Sequence, residues 1–246
     1  MATSKKISFL DNSGFMVEFP DLIMVFDYYR DPAHCVVKAL EHKPDVPVIF
    51  FVTHNHPDHF NTDIFNLAQS HKRVYVLSND IPTREIHDDM PIDWMSRGDI
   101  IEGLPGDARV EAFGSTDAGV SYYVTMPDGF TIFHAGDLNF WHWKEESTER
   151  EVAKAKSLFD TELARITQAM PAVDVAFFPV DVRQGSDCAA GAAEFLEKID
   201  VKEFFPMHFK GSYEAACDFG AYRLPDSVRK RTTLNCLHKP GDYIVL

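Results

Sequence analysis

The sequence predicts an α/β (α+β) fold in which two β-sheets pack together and helices flank them. Three observations predict it. Its segments run in the order strands, a helix or two, strands, a long helix, strand, helix, strand. Helices that are interspersed without alternating strictly fit neither a barrel of eight βα units nor a plain doubly wound sheet. The run Val48-Ile49-Phe50-Phe51-Val52 is continuously apolar, which suits a strand covered on both faces. The 246 residues, 45% of them hydrophobic, suit one large domain over 1–246.

The elements follow in order. Ile7 to Leu10, Phe15 to Phe19 and Leu22 to Phe26 read as short strands, separated by turns at Asp11 to Gly14 and Pro20-Asp21. Joined so tightly, they are expected to be antiparallel neighbours. Val36 to Glu41 reads as a short helix stopped before Pro44, and a second helix is expected from Asp63 to His71 after the apolar strand. Arg73 to Leu77, Arg109 to Phe113, Val120 to Met126 and Phe130 to Phe133 read as strands, with Pro127-Asp128-Gly129 as a turn. The clearest helix runs from Glu149 to Met170. Thr148 and Glu151 have capping-box spacing, Val152, Ala155, Phe159, Leu163, Ile166 and Met170 recur at helical intervals, and Pro171 ends it. Val173 to Phe178 is a strand, Asp187 is expected to cap a helix to Ile199, and strands close the chain at Glu203 to Pro206 and Tyr243 to Leu246.

The apolar strand discharges into Thr53-His54-Asn55-His56-Pro57-Asp58-His59, three imidazoles and a carboxylate within positions 54 to 59. On an extended backbone His54 and His56 point the same way and can share one metal. Asp58 and His59 follow a proline turn and can face a second ion. Imidazole nitrogen and carboxylate oxygen are the donors that hold zinc, manganese or iron in hydrolytic sites.

Composition narrows the partners. A formal net charge of −14 with no compensating Lys/Arg block repels a phosphate backbone, so neither nucleic acid nor an anionic membrane surface is expected. A small-molecule substrate remains, and an anionic one is compatible because metal ions supply local positive charge. No apolar stretch approaches the 18 or so residues of a membrane helix. The start, Met1 to Lys6, is polar and basic and does not resemble a signal peptide, so the cytoplasm is the default expectation. Cys35, Cys188, Cys217 and Cys236 are scattered without a C-x-x-C pair, and are expected to be buried or incidental thiols rather than a disulfide framework.

His54, His56, Asp58 and His59 together resemble the H-x-H-x-D-H signature of the metallo-β-lactamase superfamily. The resemblance implies an αββα sandwich of two mixed β-sheets flanked by helices. It extends over about residues 7 to 246, because Phe133-His134-Ala135-Gly136-Asp137 resembles the strand-ended motif of the bridging aspartate, and Pro206-Met207-His208-Phe209 resembles the last ligand motif. Carried over, His54 and His56 would bind the first metal, Asp58, His59 and His208 the second, and Asp137 both. The chain departs from the pattern at the third histidine. No histidine lies between His87 and His134, and Phe113 to Gly119 stands in its place. Asp117 is either a carboxylate ligand there or a turn residue capping its own backbone beside Gly119. As a ligand it would favour harder ions such as manganese, or leave one metal dominant. His134 is expected to point away from Asp137.

Leu138 to Lys144 follows the presumed bridging aspartate. Trp141 and His142 are candidate substrate-pocket residues, with a hydrophobic plug below the long helix as the other reading. Lys210 either meets an anionic group or lies on the surface. The resemblance implies a metal-dependent hydrolase with two divalent ions, zinc first and manganese or iron as alternatives, placed about 3.5–4 Å apart and activating a bridging water. Asp58 would orient that nucleophile and shuttle its proton. The expected substrate is a small ester, lactone or phosphodiester. Two rivals stand beside this: a mononuclear iron oxidoreductase of the same fold, and a degenerate, non-catalytic metal-binding module.

Overall fold

A computed structural model of the chain describes residues 4–82, 84, 86, 90–218, 224–237 and 239–246. Two seven-stranded sheets form the centre. The first has the order β14 (Tyr243–Val245), β1 (Lys6–Asp11), β2 (Gly14–Glu18), β3 (Ile23–Phe26), β4 (Val48–Val52), β5 (Arg73–Ser78), β6 (Ile92–Met95). The second runs β13 (Thr233–Leu234), β12 (Asp200–Met207), β11 (Ala172–Pro179), β10 (Thr131–His134), β9 (Val120–Thr125), β8 (Ala108–Gly114), β7 (Ile100–Leu104). Each sheet is mixed. β14, β1, β2 and β3 pair antiparallel, while β3 to β6 pair parallel. Likewise β7 to β10 are antiparallel and β10 to β13 parallel. The expected sandwich is the one observed.

Helices cover both outer faces. α1 (Cys35–His42) lies on the first sheet, while α2 (Glu149–Ala169) and α3 (Ala190–Lys198) lie on the second. β4 shows why its sequence is apolar throughout. Ile49 and Phe51 face the core between the sheets, and Val48, Phe50 and Val52 face the core under α1. The sheets meet through stacked rings, Phe15 on Phe177 at 4.2 Å, and through the Tyr122 hydroxyl, which donates to the Val52 carbonyl at 2.9 Å. α2 starts on the predicted capping box, with the Thr148 and Glu151 side chains each bonded to the other's backbone, and it buries Phe159, Leu163 and Ile166. Each such side chain contributes about 1.5–3 kcal/mol relative to exposure. Among the described residues no helix is long and apolar enough to cross a membrane.

Three local expectations are corrected. The helix expected from Asp63 to His71 is only a 3-10 turn, Thr62–Phe65, capped by the Asn61 side chain; Ala68, at φ 52°, takes a left-handed conformation that a helix cannot pass through. Asp187 does not cap α3, which begins at Ala190 after Gly185 breaks the chain direction at φ 68°, and its carboxylate turns to His142 and Lys144. Cys217 and Cys236 form a disulfide with their Cα atoms 5.4 Å apart, because the short helix α4 (Tyr213–Cys217) and the segment before β14 come together at the chain's end. Cys35 and Cys188 are half-buried.

Candidate metal centre

The site lies where parallel strands end, outside their carboxyl ends, the usual position for ligands in such sheets. Its foundation is Asp27, the fully buried residue directly after β3. Asp27 accepts the Thr53 backbone N–H at 2.8 Å and the Thr53 hydroxyl at 2.7 Å. The proton of that hydroxyl is thereby spent, so Thr53 Oγ1, 3.0 Å from His54 Nδ1, accepts from the imidazole. His59 Nδ1 donates to Asp27 Oδ2 at 2.7 Å, and His208 Nδ1 to Asp181 Oδ2 at 3.1 Å. In all three rings Nδ1 is therefore engaged and Nε2 faces the centre. This is the outer-shell arrangement that fixes the tautomer of a metal-ligating histidine.

Asp137, 3% exposed at the end of β10, stands between two groups of donors. Its Oδ2 is 3.2 Å from His54 Nε2 and 3.5 Å from His56 Nδ1. Its Oδ1 is 3.0 Å from His59 Nε2 and 3.3 Å from His208 Nε2. Asp58 Oδ2 completes the second group, 3.5 Å from His208 Nε2 and 3.7 Å from His59 Nε2. Two glycines let the loops close this tightly. A Cβ on Gly119 (φ +63°) would sit 2.0 Å from the Thr53 carbonyl oxygen, and one on Gly136 (φ +54°) would be 2.8 Å from the Val120 carbonyl oxygen.

The donors fit a cation. His54 Nε2, His59 Nε2 and Asp137 Oδ1 are buried without a hydrogen-bond partner, an arrangement that costs free energy unless something else satisfies them. Ligands about 2.0–2.2 Å from a tetrahedral ion lie roughly 3.3–3.6 Å from one another. The separations above, from 3.0 to 3.7 Å, straddle that range.

Charge follows the same plan. Burial opposes ionisation of Asp137, yet the His59 charge and the close imidazoles of His54 and His208 hold its carboxyl well below the ordinary range. Burial likewise opposes ionisation of Asp58, and hydrogen bonds from His208 and Lys210 outweigh it, leaving the carboxyl well below its usual value. Burial would lower His59, but Asp137 and Asp27 raise it to about 10. His208 is raised against its burial by Asp181 and Asp58, and Asp181 is lowered to about 2, where bonds from His208 and Arg183 outweigh burial. A cation competes with these protons for Nε2.

The structure brings His54, His56, Asp58, His59, Asp137 and His208 together. Asp117 joins them at the rim, 56% exposed, with Oδ2 4.0 Å from His56 Nδ1. Its backbone N–H donates to Ser115 Oγ at 3.3 Å, but its carboxylate caps no backbone group among the described residues. His134 is turned away as expected. Its Nε2 donates to the Ser13 carbonyl at 2.8 Å and its Nδ1 accepts the Gly136 N–H at 3.2 Å. Trp141 borders the cluster, its Nε1 donating to the Asp137 carbonyl at 2.7 Å and its ring 5.3 Å from that of His208. His142 does not. Its ring is buried, with Nε2 3.0 Å from Asp187 and Nδ1 3.2 Å from the Phe140 carbonyl, so it anchors the loop instead of facing the centre. Lys210 is at the site too, its Nζ paired with Asp58.

Sequence reasoning missed Asp27, Asp181 and Asn12. Asn12, in the β1–β2 turn, donates from Nδ2 to Asp58 Oδ2 at 2.9 Å and accepts the His208 N–H at its carbonyl at 3.1 Å. A signal existed for the first two. Each, like Asp137, is a carboxylate at or just beyond the carboxyl end of an apolar strand.

A sequence profile of the beta-lactamase superfamily domain matches residues 6–154, the segment holding His54 to His59, Asp117 and Asp137. The chain belongs to the metallo-β-lactamase superfamily. It is similar to a UPF0173 metal-dependent hydrolase of Nitratidesulfovibrio vulgaris, 32% identical over 147 residues, a match covering 55% of this chain and 60% of the relative. A second UPF0173 metal-dependent hydrolase, from Thermococcus kodakarensis, is 24% identical over 217 residues, covering 83% and 84%. Among solved structures, the metallo hydrolase Igni18 of Ignicoccus hospitalis aligns with TM-score 0.68 at 14% identity over 99% of both chains. CmlA, described as a diiron beta-hydroxylase of Streptomyces venezuelae, aligns with TM-score 0.66 at 12% identity over 100% of this chain and 54% of its own. At these identities the structures show a shared fold and nothing finer.

Proposed function

We propose that this superfamily member is a metal-dependent hydrolase holding two divalent ions. One observation supports it above the rest: Asp137 turns one oxygen to His54 and His56 and the other to His59 and His208. His54, His56, Asp117 and Asp137 would hold the first ion, and Asp58, His59, His208 and Asp137 the second, with zinc as the leading candidate. The ions, when bound, lower the pKa of a water and neutralise charge developing on a substrate oxygen. The chain's own residues do the rest. Asp27, Thr53 and Asp181 keep each Nε2 aimed inward. Asp58, held ionised by Lys210 and His208, orients the attacking water and accepts its proton. Trp141 walls the cleft beside His208. The substrate class is a small ester, lactone or phosphodiester, in keeping with an acidic chain that repels nucleic acid.

The Asp117 carboxylate, standing where the family has an imidazole, favours a second reading. An oxygen-richer donor set suits iron or manganese. An iron oxidoreductase would consume oxygen with a persulfide substrate and leave chromogenic esters and phosphodiesters intact. Elemental analysis of protein purified without added metal separates the readings. About two equivalents support the hydrolase, about one the mononuclear iron reading, and none a non-catalytic module. His54→Ala or Asp137→Ala is expected to abolish metal binding and hydrolysis together; either variant keeping both refutes the assignment.

A further inference from the structure

A cavity of about 180 Å³ opens beside the metal centre, lined by Thr116, Trp141, Glu151, Lys154, Ala155 and Leu158. It is not a separate feature of the surface, because two of its walls belong to the centre itself. Trp141 is tied to Asp137 through its indole N–H and packs edge-on against His208. Thr116 precedes Asp117, and its hydroxyl bonds the Asn139 backbone at both ends, donating to the carbonyl at 2.6 Å and accepting the N–H at 2.9 Å. That pairing fixes the loop of Asp117 to the loop of Asp137. The remaining wall is the first turns of α2, anchored by the capping box of Thr148 and Glu151.

The lining combines apolar and charged side chains. Trp141, Ala155 and Leu158 supply the apolar surface, while Glu151 and Lys154, both exposed, supply the charge. Leu158 is half exposed, and Trp143, 41% exposed, stacks on Trp141 at 6.4 Å. Large apolar side chains left in water next to a polar reaction centre mark a place where a ligand covers them. Lys154 is the cationic donor in this lining, and Lys210, paired with Asp58, stands at the metal centre itself.

We infer that this cavity is the subsite for the apolar substituent of the substrate, of the size of a single six-membered ring or a short alkyl chain. The inference rests on the hydrolase reading for which bond is broken, but not for what the cavity binds. A cavity of about 150 Å³ accommodates benzene, so this one has room for one ring and little more. Each methylene buried is worth about a fourfold preference, and the half-open mouth reduces that. The esters favoured would therefore carry an acyl group near six carbons, gaining roughly tenfold in kcat/KM over acetyl and levelling off beyond.

The test uses the metal-loaded protein with two probes. Dissociation constants of phenylacetate and acetate are measured by calorimetry, and kcat/KM is measured for 4-nitrophenyl acetate, butyrate, hexanoate and decanoate. Phenylacetate is expected to bind at least tenfold more tightly than acetate. Ala155→Phe, which fills the cavity, and Leu158→Asp, an exposed change that leaves folding intact, are each expected to cut that ratio at least fivefold with metal content unchanged. A phenylacetate-to-acetate ratio near one, together with equal cleavage of all four esters, overturns the subsite while leaving the hydrolase reading standing. A large ratio that both variants reduce, with none of the esters cleaved, upholds the subsite and counts against the hydrolase.

Discussion

Asp27→Asn removes one oxygen and one charge from beneath the centre, and its effect can be worked out from the bonds Asp27 makes. Asp27 Oδ1 accepts the Thr53 N–H, and Oδ2 accepts both the Thr53 hydroxyl and His59 Nδ1–H. An asparagine can keep its carbonyl toward the Thr53 N–H, but its NH₂ then faces two donors. His59 must move its proton to Nε2 to accept that NH₂, and the protonated Nε2 cannot bind a cation. Loss of one outer-shell partner of this kind weakens metal binding by about 10–100-fold, equivalent to roughly 1.4–2.7 kcal/mol. The assay is competition with a chelator of known affinity, wild type beside variant, at one pH and salt concentration. The variant should still fold, because the amide is isosteric. A circular dichroism spectrum and thermal transition within the ordinary range for a buried polar change, about 1–3 kcal/mol, would confirm this. Unchanged metal affinity in a folded Asp27→Asn protein would refute the idea that Asp27 sets the His59 tautomer.

Metal affinity should rise with pH well above the usual imidazole range, because His59, ordinarily near 6.5, is raised to about 10 and a cation must displace its proton. Raised pKa means that the protonated ring stabilises the metal-free fold below its ordinary value, with that contribution lost as pH rises through about 10. Chelator competition between about pH 7.5 and 9 should give close to tenfold tighter binding per pH unit for each proton displaced, and a flat profile there would disprove the coupling. Asp117→His should raise the purified protein's selectivity for zinc over manganese and iron, read by elemental analysis after equilibration with equimolar ions; an unchanged metal ratio would show that Asp117 is not a ligand.

The parts of the molecule legible in the sequence were those whose signal is local. β4 and the loop after it are contiguous, so one apolar run and four side chains within six positions identified both a buried strand and a metal-binding loop. The α2 start was legible because a capping box needs only Thr148 and Glu151. The supporting shell was not, since Asp27 meets Thr53 and His59 across 26 and 32 residues, and Asn12 meets Asp58 across 46. A single carboxylate after a strand carries no periodicity, and only the fold brings it beneath an imidazole. The Cys217–Cys236 pairing was hidden for the same reason, as was the Asp58 contact of Lys210. His142 misled because adjacency in sequence to two tryptophans does not fix a ring's direction, which Asp187 decides.

The resemblance places an imidazole where this chain has Asp117, and a carboxylate ligand there would change the charge of the centre. Three carboxylates, Asp58, Asp117 and Asp137, would face two divalent ions, leaving a single net positive charge at the reacting centre. With an imidazole in the place of Asp117 the same centre would keep two. A lower net charge depresses the pKa of a bound water less and stabilises a developing oxyanion less. It would also alter how firmly each of the two proposed ions is held. The second group, built from His59, His208 and the partly screened Asp58, is buried, whereas the first ends on His56 and Asp117, 46% and 56% exposed. Charges in a buried group act through a lower effective dielectric and are worth more than the same charges at the surface. If two ions bind as proposed, the one beside Asp117 would therefore be the more weakly held, and the one whose occupancy most depends on which metal the surroundings supply.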